Sequence, residues 1–187
     1  MANKAFKYRI YPTASQRELL LKTFGCCRFV YNHYLVLQSE RHTAGETYMS
    51  RTACNNDCNR ILKETHPWLR EVDKFALTNA VYALNRGFQR FFQHQGGYPR
   101  FKSRRHGRMS YTTNFTNENI AVLEQEIKLP KLGRVCAVVH RQADAAWVLK
   151  QATVSMERDG SFYVSLLYEY KTDIVKSEVN PSSILGL

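Results

Sequence analysis

The chain has 187 residues, 44% of them hydrophobic and 23% charged, with 9 Gly and 5 Pro, which excludes a disordered, collagenous or small disulfide-stapled polypeptide. Twenty-seven Lys and Arg against 16 Asp and Glu leave a formal net charge of +11 at pH 7, an imbalance that points to a polyanionic partner, nucleic acid first. No apolar run approaches the roughly 20 residues of a bilayer span and the start has no continuous apolar signal stretch, so the expectation is a cytoplasmic, nucleoid-associated protein with no membrane partner.

Residues 4–11 alternate, with Phe6, Tyr8 and Ile10 on one side and Lys7 and Arg9 on the other, which predicts a half-buried strand with a basic outer face. Pro12 ends it. Thr13 precedes Gln16 by three residues, a capping-box spacing, and Leu20, Phe24, Cys27, Tyr31 and Leu35 continue at steps of four and three, predicting an amphipathic helix over 14–42. Gly45 breaks the pattern. Ser50 or Thr52 starts a second helix running to about Thr65, closed by His66-Pro67-Trp68, and Asp73 caps a third over 74–94.

Both faces of the third helix can be drawn. At 100° per residue from Lys74, the residues Ala76, Leu77, Ala80, Val81, Ala83, Leu84, Gly87, Phe88 and Phe91 fall on an arc of roughly 180° to 340°, the buried stripe. The opposite arc carries Lys74, Phe75, Thr78, Tyr82, Asn85, Arg86, Gln89 and Gln93. Aromatics beside amides and cations suit nucleic-acid contact, and packing of Phe75 and Tyr82 under neighbouring helices is the other reading.

After Gly96-Gly97 comes Tyr98-Pro99-Arg100-Phe101-Lys102-Ser103-Arg104-Arg105-His106-Gly107-Arg108. Five of its last nine residues are Lys or Arg and none is acidic. It reads as a basic strap for phosphates, with Tyr98 and Phe101 interleaved among the charges. From Met109 onward short strands alternate with turns: Ser110–Phe115, Ile120–Leu123, Ile127–Leu129, Arg134–His140, Val148–Glu157 and Phe162–Tyr170, with Asn117, Gly133 and Asp159-Gly160 as turn residues. Asp159-Gly160 is the strongest hairpin signal. Together with Phe6–Ile10 these strands predict an α+β fold, a small oligonucleotide-binding-like β-barrel interrupted by a helical insertion. Charge divides at the same place: 19 basic and 7 acidic residues up to Arg108, net +12, against 8 basic and 9 acidic after it, net −1.

Five cysteines, at 26, 27, 54, 58 and 136, are an odd number without a secretory signal, so reduced thiols are expected. Cys54 and Cys58 stand one helical turn apart, but no second ligand pair follows, and no metal site is expected. No nucleophile elbow, P-loop or zinc-protease motif is present, and the carboxylates Asp144, Glu157 and Asp173 are scattered rather than clustered. The expectation is no catalytic residues and no cofactor in these residues.

Six blocks in order resemble the amino-terminal half of the OrfB/TnpB family of transposon-encoded RNA-guided nucleases. They are Lys4-Ala5-Phe6 through Ile10-Tyr11-Pro12; Arg28-Phe29-Val30-Tyr31-Asn32-His33; Trp68-Leu69 with Val72-Asp73-Lys74-Phe75-Ala76-Leu77; Tyr98-Pro99-Arg100-Phe101-Lys102; Phe115-Thr116-Asn117; and Lys128-Leu129-Pro130-Lys131-Leu132-Gly133. The resemblance covers essentially the whole chain. It implies a wedge barrel at 1–12 and 98–176, a helical recognition lobe with helix-turn-helix-like elements at 13–97, and at 177–187 a linker leading into a RuvC-like nuclease domain. It further implies a protein that binds guide RNA and double-stranded target DNA and reads a short motif beside the target. Motif reading falls to Tyr48, Thr52, Lys74, Phe75, Thr78, Thr116 and Asn117; Thr78 stands where the family pattern has an amide. Lys4, Lys7, Arg9, Arg100, Lys102, Arg104, Arg105 and Arg108 are the backbone-binding candidates. Leu185-Gly186-Leu187 resembles the run that enters the nuclease, so the chain is expected to be a truncated or split form that binds without cutting, a separate RuvC-like polypeptide supplying the nuclease. The alternative is a stand-alone helix-turn-helix DNA-binding regulator using 14–65.

Overall fold

The computed structural model describes residues 1–105 and 109–171. Arg108 and the 177–187 segment lie outside them. Strand β1 (Ala2–Tyr11) is followed by the 30-residue helix α1 (Ala14–Thr43), then α2 (Arg51–Asp57), a π-helical turn (Cys58–Leu62), the short α3 (Lys63–Thr65), a 3-10 turn (Pro67–Arg70) and α4 (Lys74–Phe92). Six strands follow: β2 (Met109–Asn114), β3 (Ala121–Val122), β4 (Glu126–Leu129), β5 (Gly133–Ala137), β6 (Val148–Met156) and β7 (Phe162–Tyr170).

The starts of α1, α2 and α4 each have a local chemical cause. Thr13 and Gln16 form the reciprocal capping box, with the Gln16 amide N–H donating to Thr13 Oγ1 at 3.4 Å and the Thr13 N–H to Gln16 Oε1 at 3.0 Å. Ser50 accepts from the Ala53 N–H and Asp73 from the Ala76 N–H, both at 3.1 Å. Each cap stabilises its helix by about 1 kcal/mol. Gln16 does a second job, since its Nε2 donates to the Leu132 and Arg134 carbonyls at 3.2 and 2.8 Å and docks α1 on the β4–β5 turn.

The sheet runs β2-β6-β7-β1-β5-β4-β3, every pair antiparallel. The expected closed barrel is therefore corrected to an open seven-stranded sheet, with β2 and β3 as edges that do not pair with one another. Closure fails for want of strand: β3 is two residues long, too short to carry a ladder across to β2. β1 spans the seam, paired with β7 from Ala2 to Ile10 and with β5 at Ile10 and Tyr11. All the helices lie in the chain between β1 and β2, two members of this one sheet. The three turn residues read from the sequence, Asn117, Gly133 and Gly160, all adopt positive φ, at 48°, 74° and 81°.

One core joins sheet and helices. Phe6, Tyr8, Ile10, Val154, Val164 and Leu166 cover one face of the sheet, and Leu20, Phe24, Cys27, Tyr31 and Leu35 are buried as their spacing predicts. α1 buries a second stripe, Cys26, Val30, Tyr34 and Gln38 at steps of four, that its polar residue types concealed. Gln38 is satisfied by Met49, accepting from its N–H and donating to its carbonyl, both at 2.9 Å. Tyr34 donates to Asp57 at 2.7 Å. On α4 the stripe Ala76, Leu77, Ala80, Val81, Leu84 and Phe88 is buried, whereas Ala83, Gly87 and Phe91 are only half-buried. Cys26, Cys27, Cys54 and Cys58 are buried free thiols and Cys136 is exposed. No helix among the described residues is long and apolar enough to cross a membrane.

Candidate nucleic-acid interface

Helices α2 and α4 lie side by side and share one polar face. The Thr78 hydroxyl on α4 donates to Asn55 Oδ1 on α2 at 2.9 Å, and the Arg51 guanidinium lies 4.6 Å from the centre of the Tyr82 ring. Lys74, the first residue of α4, is exposed and holds its ammonium 4.9 Å from the Phe75 ring. Thr52 is exposed on the first turn of α2. Phe75 and Tyr82 are thus half-buried rings roofed by cations, not bare stacking surfaces.

The end of β2, from which the next loop leaves, is tied to α4 through Asn79, whose Nδ2 donates to the Thr112 carbonyl at 2.8 Å and to Asn114 Oδ1 at 3.1 Å. Asn119 closes the loop, its Oδ1 accepting from the Thr116 N–H at 2.8 Å and its Nδ2 donating to the Asn114 carbonyl at 3.0 Å. Thr116 and Asn117 stand exposed at its tip. Six of the seven motif candidates therefore sit on α2, on the first half of α4, or on a loop tied to α4. Tyr48 is elsewhere: it packs edge-on against Phe88 and Phe92 at 5.3 and 5.2 Å, at the far end of α4. Burial and a hydrogen bond with Tyr98 raise its pKa.

The cations divide more sharply. Lys4 has the parity of Phe6 and Tyr8, and its ammonium lies 5.4 Å from the Trp147 ring, on the face opposite Lys7 and Arg9. Lys7 is ion-paired with Glu157 at 3.0 Å and covers the Tyr163 ring at 4.3 Å, while Arg9 donates to Ser161 Oγ at 3.3 Å. In the strap, Lys102 is pinned by Asn32, which accepts from its N–H at 2.9 Å and donates to its carbonyl at 3.0 Å. Lys102 is exposed as a residue, but its ammonium lies 4.1 Å from the centre of the Tyr31 ring, and the partial burial there lowers its pKa, with Arg86 adding to the effect. Arg100, Arg104 and Arg105 are exposed. Arg51 and Asn55 belong to this surface, and Asn79 ties β2 to it, without having been among the sequence candidates. A helical wheel of α2 would have shown Arg51, Thr52 and Asn55 together; the Asn79 contact, 35 residues from its partner, had no sequence signal.

A family model described as a helix-turn-helix domain, that of OrfB in IS605 elements, matches residues 1–47. That span is β1 and the single uninterrupted helix α1, and the next helix begins at Arg51. The chain is similar to "Putative RNA-guided DNA endonuclease" of Streptomyces pristinaespiralis, 35% identical over 89% of this chain and 41% of that protein. It is similar also to "Putative RNA-guided DNA endonuclease InsQ" of Escherichia coli (strain K12), 31% identical over 98% of this chain and 44% of that protein. The chain spans less than half the length of both. Virulence protein VsdF of Salmonella dublin is 33% identical over 57% of this chain and 97% of its own length.

Proposed function

The chain belongs to the OrfB/TnpB family, corresponding to the amino-terminal part of its members, and on that premise we propose that it is the nucleic-acid-recognition portion of a transposon-associated RNA-guided protein. In this reading it binds a guide RNA and a short DNA motif beside the target, and the open sheet with its helical insertion serves as the wedge and recognition lobes. No cleavage step and no cofactor are assigned to the residues described. The observation that carries the reading is the polar face shared by α2 and α4, with the Thr78–Asn55 hydrogen bond and exposed Thr52 and Lys74, together with the exposed Thr116 and Asn117 of a loop whose preceding strand is tied to α4 through Asn79.

The Thr78–Asn55 pair supplies what the position of Thr78 lacks. With Asn55 Oδ1 accepting from Thr78, the Asn55 Nδ2 is left to donate outward, and an amide donor reads N7 of a purine or O4 of thymine in a major groove. Backbone phosphates are held by Arg100, Arg104 and Arg105 of the strap, which position the strand without reading it.

The test is recovery of nucleic acid with the chain expressed in its host. A single transcript species protected from ribonuclease, and enrichment of one motif from a randomised duplex library in its presence, are the expected results. Duplex enrichment with no copurifying RNA overturns the guide-RNA reading in favour of a helix-turn-helix regulator.

A further inference from the structure

A cleft of about 490 Å³ lies between α1, α4 and β2. Its α4 wall carries Ala76, Ala80 and Ala83, whose side chains end at Cβ, and among them Asn79, whose amide is bonded to the Thr112 carbonyl and Asn114 Oδ1. Two cations line it, Arg86 from α4 and Lys102 from the strap. Neither guanidinium nor ammonium has a carboxylate partner among the described residues. Asp73, whose carboxylate lies at the start of α4, is committed to its cap. The ammonium of Lys102 is held by the Tyr31 ring and by a backbone clamped to Asn32, so its place does not depend on a flexible loop.

The cleft does not end at Lys102. A second cavity of about 190 Å³ shares Cys27, Lys102 and Ser110 with it and has Arg28 on its wall. Arg86, Lys102 and Arg28 therefore mark a basic track, in which burial and the Arg86 guanidinium hold the Lys102 ammonium below the usual lysine range, a penalty that a bound anion relieves. The main cleft has the size of a pocket for one small-molecule-sized unit, too confined for a duplex. Gln151, on β6, also lines it and is an additional amide donor and acceptor.

We propose that this cleft is a phosphodiester site for an unpaired nucleic-acid strand, with Arg86 and Lys102 sharing one backbone phosphate beside Ala83. The proposal rests on the nucleic-acid reading above and adds to it a place and a strand type. Charge-assisted contacts of this kind each carry about a tenfold effect on affinity.

The experiment compares four probes on the whole chain: a 12-nucleotide single strand, the same sequence as a duplex, the dinucleoside phosphate ApA, and inorganic phosphate. Two variants address the cleft. Arg86→Gln with Lys102→Gln removes the charge, and Ala83→Phe, at a half-buried position, fills the space and leaves every charge in place. Arg60→Gln with Lys131→Gln, both exposed, controls for loss of net charge. Each cleft variant is expected to weaken single-strand binding by about tenfold or more and to abolish the broadening of the ApA phosphorus resonance, with the control pair and duplex binding little changed. Unaltered binding by Ala83→Phe overturns the site, as does an equal loss in the control pair. Broadening of inorganic phosphate but not of ApA overturns the strand assignment in favour of free phosphate. Should no oligonucleotide bind, the functional reading above fails, and the ApA signal still decides the cleft by itself: lost in Ala83→Phe it upholds the site, absent from the wild type it refutes it. Melting temperatures of both cleft variants, which unfold by different routes if at all, separate binding loss from misfolding.

Discussion

Thr78 on α4 donates to Asn55 on α2 at 2.9 Å, across a separation of 23 residues, and the two side chains have meaning for recognition only as a pair. Thr78→Val removes the donor and leaves the Asn55 amide free to turn; Asn55→Ala removes the amide itself. Each should relax motif preference by about 1 kcal/mol at the base it addresses. The double variant should lose no more than Asn55→Ala alone, because Thr78 acts through Asn55. Affinities for the enriched motif and its single-base variants at one salt concentration check this, and additive losses refute it.

Arg104 and Arg105 are exposed in the strap, beside Lys102. Their replacement by Ala should weaken binding to all sequences alike and reduce the slope of log K against log salt by roughly 0.9 for each phosphate no longer neutralised on duplex DNA. Lys74→Ala or Asn117→Ala should instead narrow the gap between the motif and other sequences. A salt titration of the four proteins on motif and scrambled duplexes measures both quantities, and equal effects from the two sets contradict the division into phosphate and base contacts.

His33 sits on α1 with its ring stacked on Phe29 at 6.0 Å and edge-on to Tyr34 at 5.0 Å. Burial lowers its pKa below 6.5, Asp57 and Glu40 work against that, and His66 works with it. Because the folded state resists protonation that the unfolded chain accepts, the unfolded state binds more protons as pH falls through about 6.5, and stability drops with it. Folding free energy from urea melts between pH 8 and pH 5 should fall more steeply for the wild type than for His33→Gln. Parallel curves would place the acid sensitivity elsewhere.

Thr113 in β2 is wholly buried, and its hydroxyl has no hydrogen-bond partner among the described residues. An unpaired buried hydroxyl is costly where a methyl is not, so Thr113→Val should raise stability by about 1 kcal/mol. The neighbouring Thr112 hydroxyl is paired with Thr153 at 2.9 Å, and Thr112→Val should destabilise instead. Opposite signs for adjacent residues on one strand are read directly from thermal or denaturant unfolding.

Local signals proved sufficient wherever the cause of structure is local. Thr13 with Gln16, and Asp73 ahead of Ala76, cap helices through contacts three residues away, and Asn117, Gly133 and Gly160 take positive φ because their own chemistry permits it. The second buried stripe of α1 is not legible in the sequence because Tyr34 and Gln38 are polar types made apolar in effect by partners at Asp57 and Met49. Sheet closure is not legible either, since alternation marks a strand but not its neighbour.

Composition alone determined a basic chain, and periodicity alone marked one strand, three main helical regions and six further strands, because charge and side-chain spacing are properties of the sequence itself. Which partners each cation already has was decided only by tertiary structure. Lys102 lies over Tyr31, Lys7 meets Glu157 150 residues away, and Lys4 crosses to the Trp147 side of the sheet. A charge becomes available to a phosphate only after the fold has assigned the carboxylates and rings around it, and those partners lie too far along the chain for any local pattern to name them.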